Sequence, residues 1–235
     1  MLTIDLHIHS IASGHALNTV YELAYAAKQK GLTHIGITEH GPSMQGAPHD
    51  GYFWISDQLI KLFGINIYLG IEANIIDTNG KLDLGNELLK KQRIVIAGIH
   101  EKTPYNQSDV DSNTESIINA MKNPLVKIIS HIWRYEFPVN IEEVVKVSYE
   151  TETLLEINDN LFSRKKNLKE LINHYSLLIK LCKKYQIPVI LGSDAHIAEK
   201  IGSDQNIMKI KQKIGLCDRI IINNKPELLF RYIKL

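Results

Sequence analysis

Long apolar runs are missing from this chain of 235 residues. None approaches the roughly 18 residues that a membrane-spanning helix requires, so no such span is expected. Cysteine is scarce: Cys182 and Cys217 stand alone, without C-x-x-C spacing, which argues against a cysteine-held metal or a disulfide framework. Cys182 lies in an apolar helical run and reads as a buried free thiol. An excess of one charge is also lacking, since 27 Lys and Arg balance 26 Asp and Glu. The broad positive field of duplex-binding proteins is therefore absent, and extended nucleic acid is not an expected partner. A small anion held by local charges remains compatible. No signal-peptide pattern follows Met1, which leads straight into a strand, so a cytoplasmic location is expected. No linker, internal repeat or low-complexity tract divides the chain, and 1–235 reads as a single domain.

What the chain does have is histidine, ten in all. Residues 2–8 alternate as a strand, and His7 and His9, two apart, leave the same side of it. With His15 just beyond, they form a donor set suited to a borderline divalent metal such as zinc. On its own, H-x-H is equally the mark of hydrogen-bonded histidines at a barrel rim, so the remaining strands decide the case.

Six further strands are predicted: 34–38 running to Glu39 and His40, 65–72 closing on Glu72, 94–99 before His100, 126–130 before His131, 154–158, and 188–193 before Asp194 and His196. Helices are expected near 19–30, 54–64, 112–122, 141–150, 167–185, 203–214 and 225–233, with Asn18-Thr19 capping the first. The Gly- and Pro-containing stretch 41–52 reads as a long functional loop. Short, almost continuously apolar strands alternating with helices indicate a parallel sheet covered by helices. Seven of them suggest a closed or nearly closed barrel. The doubly wound alternative lacks its Gly-rich turn after strand one.

In a parallel barrel the C-terminal strand ends open onto one face. His7, His9, His15, His40, Glu72, His100, His131, Asp194 and His196 would therefore meet in one cavity. His34 and His174 fall at a strand start and on a helix and read as structural, and His49 is ambiguous. Nine such residues exceed the needs of one four-coordinate zinc and fit two or three metals around a bridging carboxylate. Such a centre performs hydrolysis, and its field suits phosphate esters.

The segments His7-Ile8-His9-Ser10, Thr38-Glu39-His40-Gly41, Gly70-Ile71-Glu72, Gly98-Ile99-His100, Ser130-His131 and Gly192-Ser193-Asp194-Ala195-His196 resemble, in order, those of the PHP (polymerase and histidinol phosphatase) family. The chain's length is similar to that of the family's small standalone bacterial phosphatases. The resemblance implies an α/β fold, a distorted (β/α)7 barrel of parallel strands with its metal site at the C-terminal face. It implies three divalent ions, zinc foremost, with manganese or iron as alternatives. His7, His9, Glu72 and Asp194 would take one ion, Glu72, His100 and His131 a second, and His15, His40 and His196 a third. Glu72, Asp194 and His196 are the expected catalytic residues. Glu39 departs from the family's usual Asp. It is expected behind the ligands, where the change bears on hydrogen-bond geometry, and Asp5 is read as a second carboxylate of that kind, with a neighbouring backbone group or cation as its alternative partner.

Arg134 and Lys102 lie just beyond ligand-bearing strand ends and are the candidate phosphate contacts, a fork and a point charge respectively. Asn158 is expected to contact substrate or solvent at the rim, and Trp54 and Trp133 either wall the pocket or pack in the core or at the rim. The expected activity is hydrolysis of small phosphomonoesters by attack of a metal-bound hydroxide on phosphorus. The alternatives are a phosphodiesterase or exonuclease with the same site, an amidohydrolase, whose usual bridging lysine is missing here, and a non-catalytic metal-stabilised domain.

Overall fold

The computed structural model describes residues 2–163 and 167–233. Its first half contains β1 (Ile4–Ile8), α1 (Val20–Gln29), β2 (His34–His40), β3 (Leu59–Leu62), β4 (Ile65–Asn74), α2 (Asn86–Leu89) and β5 (Ile94–Gly98). There follow α3 (Val110–Met121), β6 (Ile128–Ile129), α4 (Ile141–Thr151), β7 (Leu154–Asn158), α5 (Leu168–Tyr185), β8 (Val189–Gly192), α6 (Gln205–Ile210) and α7 (Pro226–Ile233). Strands pair in the order β1-β2-β4-β5-β6-β7-β8, every neighbour parallel. None of the described helices is long and apolar enough to cross a membrane.

The barrel nearly closes where β8 returns to β1, and side chains make much of that seam. Near its top, Ile8 bridges Ala195 and the His9 N–H donates to the Ala195 carbonyl at 2.9 Å. Lower down, the Asn223 amide donates to the carbonyls of Ile4 (3.0 Å) and Leu191 (2.7 Å) and accepts from the Leu191 N–H (2.8 Å). Between these, the Asp5 carboxylate accepts from Ser193 N and Oγ (3.3 and 2.5 Å) and from Gly202 N (2.7 Å). Buried strand edges must satisfy their polar groups, and here a side-chain amide and a carboxylate do so.

Strand alternation separates two apolar clusters. Ile4, Leu6, Ile94, Ile96, Ile128, Leu154 and Ile190 fill the barrel interior, closed at the N-terminal end by Leu229 and Ile233 of α7. Ile35, Ile37, Ile67, Leu69, Val95, Leu155 and Leu191 face outward under the helices. In β1 the alternation slips. Asp5 pairs with Ile35 but Ile8 with Ile37, so three residues span two. This bulge sends Ile8 to the outer layer after Ile4 and Leu6 have pointed inward. It thereby turns His7 and His9 into the barrel, as bulges beside functional sites commonly do.

One predicted element is replaced. Residues 54–64 do not form a helix: a 3-10 helix spans Asp50–Ile55, and β3 pairs antiparallel with β4 outside the parallel ring. Phe63 and Gly64 both take positive φ (53° and 87°), the signature of a two-residue hairpin turn between Leu62 and Ile65. An aromatic residue in that conformation is strained; Tyr21 and Tyr25 of α1 pack edge-on against its ring at 4.8 and 5.6 Å. The expected cap of α1 is present as a capping box between Thr19 and Glu22.

Candidate active site

All nine residues singled out as metal-ligand candidates reach the C-terminal mouth of the barrel. Glu72 is central. Its Oε1 lies 3.3 Å from His7 Nε2, 3.2 Å from His100 Nε2 and 3.1 Å from His131 Nε2, and its Oε2 lies 3.5 Å from His9 Nε2 and 3.0 Å from His40 Nδ1. Asp194 Oδ1 stands 3.7 Å from His7 Nε2 and 3.4 Å from His9 Nε2. On the outer side, the Nε2 atoms of His15 and His196 approach to 3.0 Å. Three sets, His7/His9/Asp194, His40/Glu72/His100 and His9/His40/His196, each keep their donor atoms within 4.8 Å of one another.

Hydrogen bonds behind the rings fix which nitrogens face the centre. His7 Nδ1 sits 2.6 Å from Glu156 Oε1 and donates to it. Ser13 Oγ gives its proton to Glu39 Oε2 (2.5 Å) and so accepts from His9 Nδ1 (3.1 Å). His196 Nδ1 donates to the Asp194 carbonyl (3.0 Å). In the neutral ring each such bond leaves an Nε2 lone pair aimed inward, toward a carboxylate or a second imidazole. His7 Nε2, His9 Nε2, His40 Nδ1 and Glu72 Oε2 are buried without any hydrogen-bond partner. Lone pairs facing carboxylates repel unless a cation lies between them, and this donor chemistry fits divalent metal ions.

The electrostatics agree. Burial lowers the basicity of His9, His15 and His100, keeping them in the neutral form a metal needs. Burial would also depress His7, but Glu156, Glu72 and Asp194 outweigh it and hold its pKa well above the usual value. Burial would raise Glu72, yet His7 and His100 keep it well below the ordinary carboxylate range. Asp194 is likewise lowered against its burial, by His7 and His9. A positive charge is most stabilised where these carboxylates meet His7.

The residues around this cluster divide. Arg134 is buried at the cavity wall, its NH2 3.3 Å from Glu101 Oε2 and its Nε 3.8 Å from Glu136 Oε2. Lys102, at φ 61°, is exposed on the same cavity of about 440 Å³, which Met44 and Asn160 also line. Glu39 stands behind the candidate ligands, accepting from Ser10 and Ser13 and so supporting His9. Asp5 touches no imidazole ring; it binds the strand backbones of the seam instead. Asn158 is not at the rim. It is fully buried, with Nδ2 3.0 Å from Glu156 Oε2. Trp133 is buried and stacked on His174 at 4.1 Å, Trp54 is exposed under Lys91, and neither lines the cavity. His34 is held by Thr33 and Asn66, and His49 caps the 3-10 helix at Gly51.

Glu156 was missed from sequence. Its signal was available: a carboxylate in the apolar strand 154–158, on the same face as Asn158. Gly192 makes room for it, since a Cβ there would lie 1.8 Å from Glu156 Oε1.

The model described as PHP domain matches residues 5–176, and that described as PHP-associated matches 177–210. The chain belongs to the PHP family. The PHP-associated segment contributes β8, Asp194 and His196, so both segments build one site. A probable phosphatase of Clostridium novyi is 40% identical over 234 residues, covering 98% of this chain and 94% of that one. A probable phosphatase of Clostridium botulinum is 38% identical over 232 residues, with 98% and 94% covered. The fold is also that of histidinol phosphate phosphatase from Lactococcus lactis, solved with zinc, L-histidinol and phosphate. That structure aligns with a TM-score of 0.62 at 19% identity, covering 91% of this chain and 92% of its own.

Proposed function

We propose that this PHP-family phosphatase hydrolyses small phosphomonoesters with three divalent ions, zinc foremost. His7, His9, Glu72 and Asp194 would hold one ion, Glu72, His100 and His131 a second, and His15, His40 and His196 a third. Divalent ions so placed lower the pKa of bound water and neutralise the anionic oxygens of a phosphoryl group. Glu72, the shared ligand, ties the first two positions together, and its lowered pKa keeps it ionised for that role. Asp194 is similarly ionised, which suits it to ligate a cation rather than to donate a proton. Arg134 would hold the non-bridging oxygens with its fork, exchanging Glu101 for phosphate, and Lys102 adds charge at the same wall. A cavity of about 440 Å³ suits a small metabolite.

The observation that carries this reading is the set of buried, unpartnered donor atoms of His7, His9, His40 and Glu72 facing one cavity. The test compares a chromogenic phosphomonoester with its diester, using protein saturated with zinc or manganese. The monoester should be preferred by at least about tenfold in kcat/KM, a difference of some 1.4 kcal/mol. Preference for the diester would move the assignment to a phosphodiesterase. Inactivity on both with metal bound would overturn the phosphoesterase reading.

A further inference from the structure

Glu156, like Glu39, is a buried carboxylate of this site that belongs to neither the proposed ligands nor the phosphate contacts, and it alone of the two bonds a proposed ligand's ring directly. Both its oxygens are engaged. Oε1 accepts from His7 Nδ1 at 2.6 Å. Oε2 accepts from the backbone N–H of His131 at 2.8 Å and from Asn158 Nδ2 at 3.0 Å. Its side chain is 1% exposed, and the bare Cα of Gly192 supplies the space it occupies. His131 has φ 27°, a conformation that costs a non-glycine residue strain and persists only when its surroundings enforce it. The bond to Glu156 is such an enforcement. One carboxylate therefore sets the ring of His7 and the backbone of His131, which serve two different ions in the proposed ligand set.

We propose that Glu156 is a positioning residue that couples those two metal positions, so that both weaken together when it is altered while the position built from His15, His40 and His196 does not. The inference rests on the ligand assignment above. Its chemistry is specific to a carboxylate. The His7 Nδ1–H and the His131 N–H are both donors and need two acceptor oxygens. An amide has one, so in either orientation Glu156→Gln sets an NH2 group against a donor. Glu156→Asp keeps both oxygens but withdraws them by one methylene.

The experiment strips the protein with chelator and titrates zinc back against a competing chromogenic chelator, for wild type, E156Q and E156D, with thermal unfolding of each stripped protein alongside. Wild type should take up three equivalents. In E156Q two of them should weaken together by roughly 10- to 100-fold, the usual cost of losing a group that orients a metal-bound histidine, and the remaining equivalent should be unchanged. E156D should show an intermediate loss at the same two equivalents. Should E156Q not fold, E156D decides the question alone. Weakening of a single equivalent, or of all three alike, would overturn the coupling, as would isotherms superimposing on wild type. Absence of zinc uptake by wild type would instead overturn the ligand assignment itself, so the two failures are distinguishable.

Discussion

At the N-terminal end of the barrel, Ile4, Tyr68, Ile94, Ile128, Leu154 and Ile190 belong to one apolar cluster with Leu229 and Ile233 of α7. Two or more residues further along the same strands, the inward positions are His7, Glu72, Glu156 and the small Gly98 and Gly192. The backbone scaffold is the same, but burial has opposite consequences at the two ends. Apolar burial contributes about 25 cal/mol per Å² at the bottom. At the top, burial strands lone pairs and charges that only hydrogen bonds or cations offset. Stability and function are thereby assigned to opposite ends, and substitutions can separate them.

The largest effect is expected at the top. Glu72→Ala removes the carboxylate that His7, His9, His40, His100 and His131 all face, and His131→Ala removes one of those imidazoles. Either should lower kcat/KM on the preferred monoester by at least about 10³-fold, as loss of a principal electrostatic contact does, and should reduce bound metal. Metal analysis beside steady-state kinetics checks this, and full activity in either variant would remove Glu72 and His131 from the mechanism.

Next in size is the bottom. Leu229 is fully buried, and Leu229→Ala should cost about 3 kcal/mol through lost burial and a cavity. In a chain of this length that is roughly 6–12 °C in Tm, with metal content and kcat/KM unchanged. Chelation is the complementary measurement. Ligand binding at 100 times Kd contributes about 2.7 kcal/mol per site, so stripping should lower the Tm of wild type by at least roughly 5–10 °C for each ion bound that tightly and add to the Leu229→Ala effect. Additivity is expected because the ends share no partners. A Leu229→Ala protein that lost metal would show that the ends are not separate.

The division was only partly legible in the sequence. Strand ends that finish on His40, His100, His131 and Asp194 pointed to this mouth as the candidate metal site, because a parallel barrel brings all such ends together. The bulge at Leu6 and His7 was not readable: simple alternation from Ile4 and Leu6 would have sent His7 outward, and only the pairing of Asp5 and Ile8 with β2 reveals the extra residue. Residues 54–64 were read as helix because Leu59, Ile60, Leu62 and Phe63 suit either period over so short a run. The decisive fact, positive φ at Phe63 and Gly64, is tertiary, imposed by pairing with β4 and packing on Tyr21 and Tyr25. Asp5 and Asn223 carry another lesson. A carboxylate near ligands looked like support for an imidazole, yet it closes the seam, and Asn223 does the same from a distant part of the chain.

Arg134 tests where the metal end stops and the substrate wall begins. Its guanidinium donates to Glu101 at 3.3 Å, lies 3.8 Å from Glu136 and 5.7 Å from the Phe137 ring, so a phosphate competes with carboxylates for it. A hydrogen bond to a charged group contributes about 1.5–3 kcal/mol, and the displaced partners reduce the net gain toward the lower figure. Arg134→Ala should therefore raise KM by roughly tenfold while leaving bound metal at the wild-type level, since Arg134 touches none of the proposed ligands. Arg134→Lys keeps the charge and loses the fork, and should recover only part of that loss. Glu101→Gln is the opposite probe: it weakens the competitor for the guanidinium and should lower KM, by less than Arg134→Ala raises it. If KM changed in the same direction and to the same extent in Arg134→Ala and Glu101→Gln, the pair would be a structural strut beside the pocket, and the phosphate contact would have to come from Lys102 and the ions alone.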